Sequence, residues 1–276
     1  MNVLYCGDSK IEDGLIISVL SLLKNVHESL NIFVLTMAIQ HEDSIYEPVD
    51  SHIISFLNER IKKNNPENAI CLIDATEIFK QELPTANMDT RFTPYCMLRL
   101  FADLIPKLPD RILYLDNDVI CRKNCSGFYH QNIDSHELIG VLDYYGKWFF
   151  RKKVFHMDYL NSGVLLLNMK NIKETGLFKK SRKLCTEKKM FMPDQSAINQ
   201  LSKMKKSEPR RFNEQRKLHD NTVLQHFTTS FRFFPWIHTL TVKPWQVDRV
   251  HGELKLFEYD DILEDYTDFM SMMKGY

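Results

Sequence analysis

The sequence predicts an α/β protein: a mainly parallel, Rossmann-like sheet flanked by helices, in a single continuous domain. Three observations lead there. Short apolar runs alternate with amphipathic stretches along the first half of the chain. The 276 residues are 44% apolar and 12% aromatic, enough to fill a large core. No Pro/Gly/Ser-rich segment and no internal repeat divides them.

Val3 to Cys6 reads as the first strand, and Glu12 to Lys24 as an apolar helix. Ile32 to Met37 gives a second strand. Asp50 to Lys63 is a helix with Ile53, Ile54, Leu57 and Ile61 in one stripe, and Ala69 to Ile73 is a third strand. After a polar loop, Thr93-Pro94 opens a helix, with Thr at the N-cap and Pro in the first turn; Leu100, Phe101 and Leu104 give it a buried face. Arg111 to Leu115 is the next strand. Such alternation implies parallel strands covered by helices, with ligands beyond the strands' carboxyl ends. Further on, Leu138 to Leu142 and Val164 to Leu167 read as strands, and Glu174 to Lys188 and Asp194 to Lys206 as helices. The main domain is expected over 1–250, followed by a C-terminal helical extension over 251–276.

The 36 basic and 36 acidic residues cancel, and the pI is near 7.1. No global field recruits nucleic acid or an anionic membrane. The basic stretch Lys203 to Lys217 and the acidic stretch Glu258 to Asp268 read as solvated faces. Cys6 and Cys71 lie in apolar runs, where a thiol acts as a small hydrophobe, so reduced cysteines are expected. Cys121 and Cys125 have a spacing a metal can use, but no second ligand pair stands near them. The chain starts a strand at Asn2 without a basic-then-apolar leader, and its longest nearly apolar stretch, Leu15 to Leu23, is interrupted by Ser18 and Ser21. A cytoplasmic protein with no integral membrane segment is the expectation.

The chemistry centres on Arg111-Ile-Leu-Tyr-Leu-Asp-Asn-Asp-Val-Ile120, where an apolar strand delivers two carboxylates at i and i+2. In an extended chain these share a face, so Asp116 and Asp118 can hold one hard divalent cation. Oxygen ligands suit Mn²⁺ or Mg²⁺ bridging to a diphosphate, whereas zinc prefers nitrogen and sulfur. A nucleotide-sugar donor needs its diphosphate neutralised as the glycosidic bond breaks. The nine glycines form neither a G-x-G-x-x-G nor a P-loop, which leaves the cation route as the natural substitute. Aspartates in a turn also cap elements or stay solvated; the apolar strand before them favours the functional reading.

Other segments add to it. Leu224-Gln-His-Phe227 places His226 where a neutral imidazole can complete a cation's coordination, although a lone histidine is more often structural. Val242-Lys-Pro-Trp245 offers Lys243, fixed by the following proline, as a point charge on a departing phosphate. Tyr159-Leu-Asn-Ser-Gly163 presents an amide, a hydroxyl and a flexible glycine at the start of a strand. Pro193-Asp-Gln195 sets a carboxylate and an amide in a helix's first turn, with capping as the competing explanation for Asp194.

Together these segments resemble glycosyltransferase family 8, the group of bacterial lipopolysaccharide galactosyl- and glucosyltransferases and glycogenin, from Val3 to about Trp245. The resemblance implies a GT-A fold. It also implies retaining transfer of galactose or glucose from a UDP-sugar donor to a glycan or lipid-linked oligosaccharide of the lipopolysaccharide type, assisted by Mn²⁺, with Mg²⁺ as the alternative. On this resemblance Asp116 and Asp118, with Asn117 between them, match the metal- and donor-binding D-x-D, and His226 matches the third protein ligand. Asp8 lies in the first strand-to-helix turn, which contacts the uridine. Arg99 matches the helix arginine that reaches the donor, with Tyr95 four residues earlier on the same face as its support. Asn161 and Ser162 match donor-sugar contacts, Asp194 and Gln195 the catalytic pair near the anomeric carbon, and Lys243 the phosphate-contacting lysine.

The chain departs from the family pattern in two places. Thr228, Thr229 and Ser230 follow Phe227 where a glycine is common, with a longer insertion before Lys243; and Lys10-Ile11 stands where an aromatic often stacks on uridine. The acidic C-terminal stretch gives no support for membrane docking. For the mechanism, a metal-bound diphosphate leaves with little acid catalysis. Retention arises either from a covalent intermediate, for which Asp194 is the evident nucleophile, or from front-face attack, with the Gln195 carbonyl stabilising the oxocarbenium-like state. Two other classes compete: a phosphatase of the haloacid dehalogenase type, which wants a Thr or Gly after the pair where Val119-Ile120 stands, and a non-catalytic nucleotide-sugar-binding protein. Trp148, Phe149, Phe150 and Trp236 are candidates to stack on acceptor sugars, with core packing as the alternative.

Overall fold

The computed structural model describes residues 1–90, 94–144, 158–232 and 238–275. The chain opens with β1 (Asn2–Cys6), a 3-10 turn (Ser9–Ile11) and α1 (Glu12–Asn25). Next come β2 (Asn31–Thr36), a hairpin of β3 (Ile39–His41) and β4 (Ser44–Tyr46), α2 (Ser51–Asn64), β5 (Ala69–Asp74) and α3 (Thr76–Gln81). A 3-10 helix over Pro94–Leu104 leads into β6 (Arg111–Leu115), β7 (Val119–Cys121) and α4 (Ser126–Tyr129). The next elements are β8 (Leu138–Leu142), β9 (Leu160–Asn168), α5 (Met169–Thr175), α6 (Leu177–Glu187), α7 (Pro193–Leu201) and β10 (Lys205–Glu208). The chain continues through β11 (Leu224–His226), β12 (Ser230–Arg232), β13 (His238–Leu240), α8 (Val247–Gly252) and α9 (Asp260–Lys274).

Among the described residues, seven strands form the main sheet in the order β10-β8-β9-β6-β1-β2-β5. Neighbours pair in parallel except at β9, which runs antiparallel to both β6 and β8. The expected mainly parallel sheet flanked by helices is therefore present. Strand alternation splits the core in two. Val3, Tyr5, Leu113 and Leu115 face α1 and α2, while Leu4, Ile112 and Tyr114 face the 3-10 helix and α6. Tyr259, Ile262, Leu263 and Phe269 carry α9 into the first of these layers. Among the described residues no helix is long and apolar enough to cross a membrane.

Several elements differ from the sequence reading. The polar loop after β5 holds α3, anchored by the fully buried Phe79; one apolar anchor leaves no periodicity to read. The helix expected from Glu174 to Lys188 is two helices, because Gly176 takes a left-handed conformation (φ +67°) between them. The helix expected from Asp194 to Lys206 ends at Leu201. Lys205–Glu208 then pairs in parallel with β8 as an edge strand, whose polar composition hides it from pattern reading. Pro94 opens a 3-10 helix of eleven residues instead of an α-helix; Thr93, expected as its N-cap, lies outside the described residues. The insertion after Phe227 contains the antiparallel pair β12 and β13, with Ser230 opposite Leu240, and so carries the chain back toward Lys243.

Candidate active site

A cleft of about 640 Å³ opens beyond the carboxyl ends of β1 and β6, and Asp8, Arg99, Asp116, Asp118, Asp194 and Lys243 are among its lining residues. Its size is that of a small-molecule site. Strand β6 stops at Leu115, and the Asp116 N–H continues the ladder by donating to Gly163 O at 2.8 Å. Residues 116–118 then turn, with the Val119 N–H donating to Asp116 O at 3.2 Å. The two carboxylates thus converge through a turn, and not by sharing the face of an extended strand as the i, i+2 spacing suggested. Strand β7 pairs with β11 with Val119 opposite His226, and this pairing delivers the imidazole. His226 Nε2 lies 3.1 Å from Asp118 Oδ1 and 3.7 Å from Asp116 Oδ2. The ligand atoms of Asp116, Asp118 and His226 all fall within 4.8 Å of one another.

This cluster fits a hard cation. Asp118 Oδ1 is buried and faces His226 Nε2 at 3.1 Å; with that nitrogen unprotonated it has no hydrogen-bond donor, an arrangement that costs free energy until a positive charge meets it. The Lys243 ammonium pairs with the other oxygen, Asp118 Oδ2, and donates to Phe227 O at 3.1 Å. Burial pushes the Asp118 acid up, yet Lys243 and His226 together outweigh burial and hold it well below the usual carboxylate range. Asn117, between the two aspartates, presses on α1 at Gly14, where a Cβ would stand 2.5 Å from the Asn117 carbonyl oxygen and 2.7 Å from the Trp245 ring. Gly163 is needed for space as well. A Cβ there would stand 2.1 Å from His226 Cε1 and 2.8 Å from Asp116 Oδ2.

The opposite wall is built on β9 and α7. Asn161, Ser162 and Gly163, expected ahead of a strand, lie inside β9, where the register with β8 shifts so that Gly140 faces Leu165 but Val141 faces Asn161. This bulge turns Asn161 and Ser162 toward the cleft. Arg99 is buried and held on four sides. Its Nη1 donates to Ser162 O at 2.6 Å, Nη2 to Asp116 Oδ1 at 2.9 Å and Nε to Cys96 O at 3.1 Å, while Nε also stands 3.2 Å from Asp194 Oδ2. The guanidinium sits 4.2 Å from the Tyr114 ring centroid. Asp194, in the first turn of α7, meets Arg99 and the Ser162 hydroxyl (3.2 Å) at the cleft wall, while the N-cap position belongs to Met192. Burial raises its acid above the ordinary value, with Arg99 opposing and Asp116 adding to the rise. Gln195 Oε1 accepts from the Ser162 N–H at 2.9 Å, and its amide donates to Asp143 Oδ2 at 2.8 Å.

The structure therefore gathers Asp8, Arg99, Asp116, Asn117, Asp118, Asn161, Ser162, Asp194, Gln195, His226 and Lys243 around one cleft. Asp8 also caps the 3-10 turn after β1, accepting from the Lys10 N–H at 3.2 Å. Tyr95 does not support Arg99. In a 3-10 helix residues i and i+3 share a face, so Cys96 backs Arg99, and the Tyr95 hydroxyl donates to Met37 O at 2.5 Å. Trp148, Phe149, Phe150 and Trp236 lie outside the described residues. Sequence reasoning missed Tyr114, whose hydroxyl donates to Asp116 Oδ1 at 2.7 Å, as well as Asp143 and Asn213. Tyr114 was findable, two residues before Asp116 on the face opposite Leu113 and Leu115. The other two carry no local signal.

A sheet of this topology with a cleft and a carboxylate–imidazole cluster beyond its strand ends is an α/β fold of the ligand-binding kind. The chain matches the family described as glycosyl transferase family 8 over residues 2–248, and it belongs to that family. It is 26% identical over 275 residues to lipopolysaccharide 1,2-glucosyltransferase of Escherichia coli (strain K12), covering 94% of this chain and 76% of that protein. It is 28% identical over 160 residues to glycosyltransferase GlyA of Streptococcus pneumoniae, covering 57% of this chain but only 21% of that longer protein. In fold it resembles the galactosyltransferase LgtC, solved with donor and acceptor sugar analogs, with a TM-score of 0.69 at 16% identity over 97% of this chain and 96% of that one. GlyE of Streptococcus pneumoniae superposes with a TM-score of 0.60 at 21% identity, over 97% of this chain and 64% of that one. The fold is GT-A, and membership of the family removes the phosphatase reading.

Proposed function

We propose that this glycosyltransferase is a metal-dependent, retaining hexosyltransferase that moves glucose or galactose from a UDP-sugar to a glycan or lipopolysaccharide-type acceptor. The observation that carries the reading is the convergence of Asp116, Asp118 and His226, with one buried Asp118 oxygen lacking a hydrogen-bond partner. Asp116, Asp118 and His226 would hold Mn²⁺, or Mg²⁺ in its place. The cation supplies positive charge to the diphosphate as UDP leaves. Lys243 adds a second positive charge from the same side, and Asp8 and Asn117 flank the nucleotide end. The names of the relatives support the hexose: one is a lipopolysaccharide glucosyltransferase, and one was solved with sugar analogs bound.

On the sugar side, Arg99 holds Asp194 and the Ser162 carbonyl in one rigid frame, so the donor meets a preorganised wall. The bond from the anomeric carbon to the diphosphate oxygen breaks, the acceptor oxygen bonds to the same carbon, and the acceptor proton passes to a phosphate oxygen. Asp194 Oδ2 is already engaged by Arg99 and Ser162, which supports entry of the acceptor on the leaving-group side over covalent capture by this carboxylate. Asp194 and Gln195 then border the anomeric centre and stabilise its developing charge. All six cysteines are free, which suits a reducing, cytoplasmic setting.

The test is slow hydrolysis of UDP-glucose and UDP-galactose with Mn²⁺, followed by proton NMR of the released sugar. The α-anomer should appear first from one of the two donors. First appearance of the β-anomer would overturn retention, and a rate unchanged by leaving out the cation would overturn metal dependence.

A further inference from the structure

Asn213, only 1% exposed, stands beside His226 because its neighbour pairs along β11: the Glu214 N–H donates to Leu224 O at 2.9 Å, and the His226 N–H donates to Glu214 O at 3.0 Å. A chain of buried hydrogen bonds fixes what each amide presents. The Gly163 N–H can only donate, and it meets the Asn161 side chain at 3.0 Å, so the atom facing it is the oxygen Oδ1. That same oxygen is 2.9 Å from the Asn213 side chain, which must therefore turn its NH₂ toward it. The Asn213 oxygen is then left facing His226 Nδ1 at 3.2 Å. An oxygen acceptor there requires a ring proton on Nδ1, so in the neutral ring the lone pair lies on Nε2, the nitrogen aimed at Asp116 and Asp118.

We propose that Asn213 is a positioning residue: it holds the proton on Nδ1 of His226 and reserves Nε2 for the divalent cation. A histidine that ligates a metal commonly has its second nitrogen fixed by such a partner. The relay also reaches the sugar wall. Asn161 Nδ2 lies 3.4 Å from Asp143 Oδ2, the oxygen that accepts from the Gln195 amide. Asn213 thus connects the metal ligand to the pair bordering the anomeric carbon. Its role toward the cation rests on the metal-dependent reading above, whereas the placement of the proton does not.

The experiment uses protein labelled with ¹⁵N at its histidines, in alkaline, metal-free buffer, with His226 assigned by the signal missing from His226→Gln. In the wild type, two-bond proton–nitrogen spectra should show His226 protonated at Nδ1. Asn213→Asp keeps an acceptor and should keep that pattern. Asn213→Leu should shift the proton toward Nε2 and lower Mn²⁺ affinity, measured by calorimetry, by about 10- to 100-fold, with Asn213→Asp restoring most of it. A wild-type His226 protonated at Nε2 would overturn the proposal even if Asn213→Leu failed to fold. So would an Asn213→Leu protein with wild-type proton placement and Mn²⁺ affinity. A wild type protonated at Nδ1 that binds no Mn²⁺ would uphold the proton placement and overturn the metal reading instead.

Discussion

On the wall formed by β9 and α7, Arg99, Ser162, Asp194 and Gln195 bond to one another, and Asp143 holds the Gln195 amide. On the facing wall, formed by the 116–118 turn and β11, Asp118 keeps one buried oxygen without a hydrogen bond and gives the other to a lysine that is 27% exposed. The first wall is complete without a ligand and acts as a preorganised frame. The second leaves one carboxylate oxygen open beside His226 Nε2, 3.1 Å away. A bonded frame and an incomplete cluster are thus separated within one cleft, and each wall should respond differently when cut.

The largest effect is expected on the incomplete wall. Asp118→Ala should lower turnover by about 10³-fold, the upper scale for one electrostatic contact, while the melting temperature stays near that of the wild type, because the turn packs little core. A collapse in stability with specific activity intact would make Asp118 structural.

On the complete wall, Asp194→Asn should cost a comparable loss of turnover but no stability at neutral pH. Burial raises the Asp194 acid in the folded protein, so the folded state takes up its charge less readily than the unfolded chain. The wild type therefore loses stability as pH rises from the unfolded value of about 3.9 to the folded one, and stays lower above it. The stability advantage of Asp194→Asn should be near zero in acid and grow to a plateau toward neutrality. Urea titrations at both pH values check this; a variant markedly less stable at neutral pH would mean that the Arg99 pairing outweighs burial.

Lys243→Ala should slow turnover by about a hundredfold, with an opposite sign in a second readout. The ammonium occupies Asp118 Oδ2, so Mn²⁺ affinity without nucleotide should rise in the variant, whereas UDP affinity with Mn²⁺ should fall. A fall in both would show that Lys243 supports the carboxylate geometry and does not compete for it. The smallest effect is expected for Gly163→Ala. Displacing His226 should cost about 1–3 kcal/mol of stability and weaken Mn²⁺ binding, and unchanged Mn²⁺ affinity would show that the ring shifts freely.

The first half of the fold was legible because its strands and helices bury continuous apolar stripes: Ile53, Ile54, Leu57 and Ile61 on α2 needed no tertiary information. In β10, by contrast, Lys-Lys-Ser-Glu forms a strand only because β8 offers an edge, and α3 forms around one phenylalanine. For the site, the D-x-D, His226 and Lys243 stood out as residue types in ordered segments, but the carboxylates meet through the turn at 116–118, which an i, i+2 spacing does not reveal. Asp143 and Asn213 were not legible, since an aspartate or asparagine in a loop has many local uses and only the folded chain sets Asn213 between Asn161 and His226.

The central claim is that the cleft binds its donor through a divalent cation held by Asp116, Asp118 and His226. Calorimetric titration of UDP into the protein, with Mn²⁺ and again after EDTA, tests it most directly. Binding should be clear with Mn²⁺ and lost with EDTA, and His226→Ala should weaken the Mn²⁺ and UDP affinities together. Equal UDP affinity with and without the metal would contradict the account.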